Sequence, residues 1–323
     1  MNVPRIGVGL PSFGPHAGPD AIALVARAAE RSGYHAVSVS ERLLMPVSPT
    51  TALKDGLPES HVWDPLEVLT WAAAHTDRIR VMSGVVNSIF QPPIVLARRL
   101  ATLDRLSRGR LDVGIGQGGG GTADSSWMIP EEFEAAGVPL GRRGAGFVEH
   151  VAAMRACWRS DPVEFDGAYY RIPKAAVGPK PWADTIPLYF GAMVRSTIER
   201  AATLADGFVT VALDWDDTRT RVGWYRDAGG SGTVVVNTFQ FYPGGEPDSP
   251  AVFTDAVLAD LDRAATIGAD EMHITLNLAS VHPERQVELL GELADTLGLG
   301  AQRSPSDSTP ILHEGTRAGE PAG

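Results

Sequence analysis

The sequence is short of several residue types and patterns, and each shortage excludes a class of protein. Cys157 is its one cysteine among 323 residues, so the chain can form no intramolecular disulfide, and a cysteine metal cluster is not expected. The apolar neighbours of Cys157 predict a small buried hydrophobic side chain rather than a nucleophile. The 8 histidines show no H-E-x-x-H or other ligand spacing, so no metal site is predicted.

Positive charge and long apolar runs are also scarce. The chain has 28 Lys and Arg against 39 Asp and Glu, a net charge of -11, which predicts no general nucleic-acid surface. No run approaches ~20 apolar residues, and no charged start precedes a long apolar stretch. We therefore expect no membrane partner and a cytoplasmic protein. The G-x-S-x-G elbow is missing, which does not support a serine hydrolase.

One strand–helix–strand unit is readable between Arg78 and Gly121. A β-branched apolar run from Arg78 to Val86 is typical of a strand buried on both faces. Pro92 and Pro93 then start a helix with apolar residues at helical spacing. A second buried strand, 111–116, ends in a run of glycines. Ligands bind at such carboxyl ends in α/β folds.

The same pattern repeats along the chain and predicts a (β/α)₈ barrel, a TIM barrel, over residues 1–300. The predicted strands are 5–10, 36–40, 78–86, 111–116, 187–191, 208–213, 232–242 and 271–276. A short hairpin with its turn at Asp166–Gly167 lies outside this sheet. Segments 45–60 and 122–143 are expected as insertions over the carboxyl-end mouth. Residues 301–323 have almost no apolar content, which predicts a disordered tail.

Candidate site residues follow from the predicted strand ends, because barrel chemistry sits there. From strand ends one to four we collect Phe13, Glu41, Arg42, Asn87, Gly116, Gln117 and Gly118. The later strand ends add Gly191, Ala192, Met193, Arg195, Trp215 and Gln240. We assign Phe13, Trp215 and Gln240 to substrate binding.

Two glycine-containing turns suggest cofactor contacts. Segment 114–119 matches G-x-G-x-x-G but does not open into a helix, which disfavours a Rossmann dinucleotide site. Its glycines either allow close strand packing or bring the backbone near a flat or anionic ligand. The turn 191–196 joins a strand to a helix whose free amides could bind phosphate, with Arg195 adding charge. The alternative is a capped, solvated helix end.

Glu41 is the candidate catalytic group. It ends a buried strand in apolar surroundings, which would raise the pKa of its carboxyl group and let it donate a proton. An ion pair with Arg42 or with a remote arginine is the alternative.

Several blocks resemble the bacterial luciferase-like flavin and deazaflavin oxidoreductases. The most specific is ATLDRLS at 101–107, and the others are 78–93, 131–139, 143–144, 179–181 and 204–208. The resemblance implies a barrel that carries coenzyme F-420, a deazaflavin, or FMN across the strand carboxyl ends, and it implies a homodimer. It also implies a non-proline cis peptide or bulge at Gly84–Val85 behind the cofactor ring. Asn87 and 116–118 would line the ring, and 191–195 would hold the phosphate.

One departure concerns the end of the second strand. Many relatives have an acid followed by histidine there, whereas this chain has Glu41–Arg42, which leaves Glu41 as the expected acid. The expected activity is F-420-dependent hydride transfer to a small organic substrate. The alternatives are an FMN-dependent monooxygenase supplied by a separate flavin reductase, and a non-catalytic flavin-binding barrel. A sugar-phosphate isomerase or aldolase is disfavoured, because no lysine stands at a strand end.

Overall fold

A closed parallel barrel with helices outside it forms the body of the chain. The computed structural model describes residues 3–47, 62–119, 128–240, 242, 247–277 and 281–302. The strands are β1 (Arg5–Gly9), β2 (Ala36–Val39), β3 (Arg80–Asn87), β4 (Leu111–Gly116), β5 (Val163–Asp166), β6 (Arg171–Ala175), β7 (Leu188–Gly191), β8 (Gly207–Val211), β9 (Thr233–Phe239) and β10 (Glu271–Thr275). All but β5 and β6 belong to the barrel, in the order β1-β10-β9-β8-β7-β4-β3-β2. The predicted fold class is confirmed.

The helices cover the outside of this barrel. They are α1 (Pro19–Ser32), α2 (Pro65–Ala74), α3 (Pro93–Leu106), α4 (Pro130–Ala135), α5 (Ala145–Trp158), α6 (Arg195–Leu204), α7 (Trp215–Asp227), α8 (Pro250–Thr266) and α9 (Pro283–Leu297). Among the described helices, α1, α2, α3, α4, α8 and α9 begin with proline. Proline suits a first helical position because its fixed φ is helical and its missing N–H would have no partner there.

The strands are apolar because both of their faces are buried. All six residues of β4 are buried, as expected where helices cover the outer face and the barrel interior the other. Inside the barrel, Met82, Tyr189, Val209 and Val235 form a small apolar cluster, against which Val85 packs. A charged layer lies at the amino ends of the strands, where Arg80 pairs with Asp112. This interior is therefore filled, and the carboxyl-end mouth is left for a ligand.

Two of the blocks that carry the family resemblance contact each other at the end of α3. Asp104 Oδ2 accepts a hydrogen bond from the Trp182 amide at 2.6 Å. Arg105 Nε donates to the Lys180 carbonyl at 2.9 Å. Arg110, just before β4, donates to the carbonyls of Ala73 and Thr76. These residues fix the outer layer, so their role is structural.

Some local predictions were wrong. Helix α7 was not predicted, although Asp214 accepts from the Asp216 and Asp217 amides as its N-cap, which is a readable helix start. The turn 191–196 was expected to precede α6, but Val194 is the N-cap, so Arg195 and Ser196 already lie inside the helix. The hairpin β5–β6 is present, with Asp166 paired to Arg171. The connection between these paired residues, 167–170, is therefore four residues long, and the predicted two-residue turn at Asp166–Gly167 is wrong.

The predicted mouth insertions are only partly described. Segment 122–143 was expected to be irregular, yet it contains α4 and a 3₁₀ turn at Leu140–Arg142. Residues 48–61 and 120–127 lie outside the described residues, as do 303–323 of the predicted tail. Their expected conformations stay predictions.

Candidate active site

A wide cavity opens at the carboxyl ends of the barrel strands. It encloses about 1210 Å³, open mouth included, and its wall is mostly apolar, as small-molecule sites are. Of the predicted site residues, those on the wall are Phe13, Glu41, Arg42, Gly84, Val85, Asn87, Gly116, Gln117, Gly191, Ala192 and Met193. The structure thus brings most of the sequence-derived candidates to one place.

The Gly84–Val85 peptide is cis, at the position that the family resemblance implied. The β3–β4 register shifts between Ser83 and Val86, so this short stretch departs from the regular ladder and turns Val85 towards the barrel interior. A Cβ added to Gly191 would lie 2.8 Å from Val85 Cγ1, and one added to Gly116 would lie 3.2 Å from Val85 Cγ2. Glycine at both positions leaves room for the Val85 side chain at the cavity wall.

Side chains from β9 and the end of β2 hold this peptide. The Gly84 carbonyl accepts from Ser40 Oγ at 2.9 Å and from Asn237 Nδ2 at 3.3 Å. The Glu41 amide donates to the Val85 carbonyl at 3.2 Å. The cis peptide is therefore held by the neighbouring end of β2 and, across the barrel, by β9.

Glu41 lies at the wall with its carboxylate turned towards β3. Its Oε2 accepts from the Asn87 amide at 2.5 Å. Burial, together with the nearby Asp64 and Glu132, raises the pKa of Glu41 to about 7, although the Asn87 hydrogen bond and Arg42 oppose that rise. A carboxyl group with this pKa exchanges a proton near neutral pH, which is what a general acid requires.

Arg42 does not pair with Glu41, as one alternative expected. Its Nη1 donates to Glu132 Oε2 at 3.1 Å, and their side chains are 11% and 1% exposed. Glu132 Oε1 also accepts from the Leu43 amide at 2.7 Å. Burial raises the pKa of Glu132, although Arg42 and the backbone amides oppose that rise. Glu132, from α4, thus anchors the chain that follows β2.

The opposite side of the cavity joins β4 to the starts of α5 and α6. Gln117 Nε2 donates to Thr197 Oγ1 at 3.3 Å, and Gln117 Oε1 accepts from the Gly144 amide at 2.9 Å. Both helix amino termini therefore meet Gln117. Thr197 and Gly119 also line the cavity.

A cation that the sequence did not single out stands at this corner. Arg143 Nη2 donates to the Gly119 carbonyl at 3.1 Å, and its Nε is buried without a hydrogen-bond partner. Burial lowers the pKa of this guanidinium. Among the described residues it forms no ion pair with a carboxylate. An anionic group at this corner would supply the missing partner.

Three predicted residues lie elsewhere. Arg195 is 65% exposed and pairs with Glu199 at 2.8 Å. Trp215 begins α7, and its Nε1 donates to Asp260 at 3.1 Å. Gln240 is buried and donates to the same carboxylate at 3.3 Å. None of the three is on the described cavity wall. Gly118 has a φ of 82° and packs on Phe133, between two wall residues.

Three residues at the site were not predicted, and the sequence gives a local signal for one of them. Asn237 is a buried amide within an otherwise apolar strand, β9, and a polar residue in such a run indicates a special partner. Glu132 and Arg143 lie in the segment without periodicity. The family-like blocks 131–139 and 143–144 contain these two residues, but their partners are distant in the chain, so the pattern gave neither a role.

The described residues contain no group of three or more His, Cys, Asp or Glu side chains that could hold a metal ion. Within the same described part of the chain, every helix is too short or too polar to cross a membrane.

Comparison with known proteins decides the family. The model of the family described as Luciferase-like monooxygenase matches residues 6–239. The chain belongs to this luciferase-like family. Homologues in this family include F420-dependent dehydrogenases and reductases, and the chain is an enzyme of this flavin- or F420-dependent oxidoreductase family.

Individual relatives share about a third of their residues with this chain or fewer. An uncharacterized protein of Mycobacterium tuberculosis, Rv0953c, is 35% identical over 203 residues, which cover 60% of this chain and 68% of that protein. The F420-dependent glucose-6-phosphate dehydrogenase of Nakamurella multipartita is 30% identical over 214 residues, 66% of this chain and 58% of the relative. Monooxygenase RslO1 from Streptomyces bottropensis is similar in structure, with a TM-score of 0.70, 21% identity and coverage of 91% and 98%. At that identity the likeness concerns the fold alone.

Proposed function

We propose that this luciferase-like protein is an F-420-dependent oxidoreductase that transfers a hydride between the reduced deazaflavin and a small organic substrate. The observation that carries the proposal is a proton-exchanging carboxyl group, Glu41, at the wall of an apolar cavity. A reduced deazaflavin supplies a hydride from its ring carbon. Reduction of a carbonyl or conjugated double bond then needs one proton, and Glu41 would donate it to the substrate.

The described residues fit such a cofactor. Val85, fixed by the hydrogen bonds to Gly84 and by the glycines at 116 and 191, would support the back of the ring. Asn87 and Gln117 would line its edges. The Nε of Arg143, which has no hydrogen-bond partner, would donate to a phosphate. The amino termini of α5 and α6 would add favourable helix dipoles. This assignment adds Arg143 to the turn 191–195 that the sequence suggested.

Relatives support the deazaflavin over FMN only indirectly. The Nakamurella relative is named as F420-dependent, and the ending of β2, Ser40 to Leu44, resembles that branch of the family. The proposal includes a homodimer, as in many members of the family. A sugar phosphate is not proposed as the substrate, because the name of that relative says nothing about the substrate contacts of this chain.

The second candidate is an FMN-dependent monooxygenase fed by a separate reductase. The family's description as monooxygenases favours it, and the same cavity would serve it. A non-catalytic barrel that only binds flavin would use the same wall but would show no turnover with any acceptor.

Parallel titration of the purified protein with F-420 and with FMN, followed by fluorescence quenching, separates these candidates. Micromolar binding of F-420 with much weaker binding of FMN is the expected result. The reverse preference would favour the monooxygenase, and an oxygen-consumption assay would follow. Binding of neither coenzyme would overturn the cofactor assignment.

A further inference from the structure

The cavity wall carries few charged side chains, and its positive charge is paired with a buried carboxylate. Glu41 and Arg42 are the charged side chains on its described part. Arg42 is held by the buried Glu132 at 3.1 Å, so its positive charge is offset by a neighbour behind the wall. Asp64, close enough to raise the pKa of Glu41, adds negative charge and pairs with Arg99. The β2 side of the cavity therefore has no excess of positive charge.

The described wall after β1, and across the barrel on β8 and β9, carries no charge, although Thr210 and Asn237 add polar groups there. Phe13 pairs as an isolated bridge with Val62 at the end of β1, and β8 and β9 contribute Val211 and Phe239 to the wall. Arg143, the other nearby cation, lies beside Gly119 on the β4 side, where the cofactor phosphate is proposed. β3 stands between β2 and β4 in the barrel, so the two cations serve different parts of the cavity.

We propose that the part of the cavity lined by Phe13, Arg42, Val211 and Phe239 accepts uncharged substrates and rejects anionic ones, and that Glu132 determines this selectivity by offsetting the charge of Arg42. This inference rests on the proposed function, since it names the substrate class of the same site. An anion placed there would lose its hydration without gaining a cationic partner, and it would face Glu41.

The two undescribed segments that connect β2 to α2 and β4 to α4 carry no net positive charge. Segment 48–61, between β2 and α2, contains Lys54 with Asp55 and Glu59. Segment 120–127, between β4 and α4, contains Asp124 as its charged residue. The acids outnumber the lysine in these connections.

Glu132→Gln tests the inference sharply. Glutamine keeps an oxygen that can accept from the Leu43 amide, so the anchor of the chain after β2 is retained while one negative charge is lost. Arg42→Gln makes the opposite change, because it removes the positive charge and keeps the Glu132 carboxyl group. In the double variant both charges are gone, and the net charge of the wall equals that of the native protein.

The probes are cinnamaldehyde and 4-carboxycinnamaldehyde, which share the reactive enal and differ by a carboxylate. Dissociation constants are measured at pH 8 by ligand-observed NMR on the protein saturated with oxidised F-420. The native protein should bind the neutral compound at least tenfold more tightly. Glu132→Gln should reduce this ratio at least fivefold through tighter binding of the carboxylate. Arg42→Gln should increase the ratio, and the double variant should restore the native one.

Equal affinity of the native protein for both compounds would overturn the inference. So would a ratio that Glu132→Gln leaves unchanged while its circular dichroism and thermal midpoint remain native. If that variant does not fold, a ratio that Arg42→Gln fails to increase overturns the assignment to this ion pair. Failure of the proposed function is distinguishable, since it appears earlier as the absence of F-420 binding.

Discussion

At the scale of single residues, Glu41 links stability and activity through one proton. Burial raises its pKa from 4.5 to about 7 in the folded protein, so between these pH values the folded state holds a proton that the unfolded state releases. Stability from this group is therefore lost as pH rises through that window. The difference corresponds to about 3 kcal/mol above pH 7. A group kept at this cost is a candidate for function.

Replacement of Glu41 by glutamine should therefore separate stability from catalysis. We expect Glu41→Gln to unfold with a free energy up to about 3 kcal/mol higher than the native protein at pH 8, and with no such gain at pH 4. The rate of F-420H₂ consumption should fall about 100- to 10,000-fold, as for loss of a general acid. Native kcat should decline above pH 7, where the donor form disappears. Urea unfolding at both pH values and a pH–rate profile are the measurements.

A variant no more stable than the native protein at pH 8 would contradict the raised pKa. The matched control is Glu288→Gln, because the Glu288 side chain is 55% exposed and pairs with Arg285. This variant should change neither the free energy of unfolding nor the rate.

The two arginines near the proposed phosphate site give the second prediction at this scale. Arg143 has a buried Nε without a partner, whereas Arg195 is occupied by Glu199 at the surface. We expect Arg143→Met to weaken F-420 binding at least tenfold, because a charge-assisted contact is lost. Arg195→Met should change the dissociation constant less than threefold. Equal losses in both variants, measured by fluorescence titration, would restore Arg195 as the phosphate ligand.

This contrast shows what sequence reasoning could reach at single positions. Glu41 and Asn87 follow buried strands, and the barrel geometry alone brings such residues together. Arg195 also stands beside a strand end, but Glu199 lies four residues further on and forms an i,i+4 pair with it. This spacing is visible in the sequence and favours an exposed ion pair over a phosphate contact. Glu132 and Arg143 depend on contacts across many residues of chain, which no local pattern encodes.

At the scale of elements, the packing of β3 against β4 and β7 shapes the cavity wall. A Cβ at residue 191 would lie 2.8 Å from Val85 Cγ1, so Gly191→Ala should lower the free energy of unfolding by about 1–3 kcal/mol through overpacking. In a Val85→Ala background those methyl groups are gone, and the same substitution should cost at least 1 kcal/mol less. A double-mutant cycle by urea denaturation measures this coupling.

The control for that cycle is Gly223→Ala in α7. Its added methyl group meets nothing within 4 Å, so the substitution should be neutral or stabilising, because alanine favours the helix over glycine. Additive costs at positions 85 and 191, within 0.5 kcal/mol as for independent sites, would mean that the wall relaxes and that the glycine is not required by Val85.

His150 connects α5 to the chain after β3. Its Nε2 contacts the Gln91 carbonyl at 2.9 Å, and its ring packs on Tyr170. Burial lowers the pKa of His150 to about 4, so the unfolded state takes up a proton below pH 6.5 that the folded state refuses. Stability should fall by up to about 3 kcal/mol as pH drops from 6.5 to 4.

His150→Gln keeps a donor for the Gln91 carbonyl and should remove this part of the acid sensitivity. Urea unfolding at pH 7 and pH 4 would show it as a smaller loss in the variant than in the native protein. His75→Gln, at the half-buried histidine of the α2 C-cap, serves as the control and should keep the native loss. An unchanged loss in His150→Gln would assign the acid sensitivity to other groups.

At the scale of the whole molecule, the repeated strand–helix pattern was enough to predict the architecture. Eight buried strands with helices between them leave few alternatives to a closed barrel. The pattern predicted an insertion between β4 and α5 but not the helix that it contains. This helix, α4, is short and supplies Phe133 to Gly118 and Glu132 to Arg42, so it is defined by tertiary contacts alone.

Closure of the barrel also bounds the folding unit. β1 pairs with both β2 and β10, and α9 packs on α1. The turn after α9 contacts the end of α1, where a Cβ at Gly33 would lie 2.8 Å from the Leu299 carbonyl oxygen. The described barrel is therefore complete at residue 302. Residues 303–323 contain Ile311 and Leu312 as their large aliphatic side chains, too few to bury a core.

Deletion of 303–323 should therefore leave the barrel and its cavity as they are. We expect the free energy of unfolding to change by less than about 1 kcal/mol, since surface changes away from packed features are usually small, and the dissociation constant for F-420 to change less than twofold. Deletion of 299–323 is the matched comparison, because it also removes the contact with Gly33. That longer deletion should be clearly destabilising in the same urea titration. Weaker F-420 binding by the shorter deletion alone would show that the tail belongs to the site, contrary to the predicted disorder.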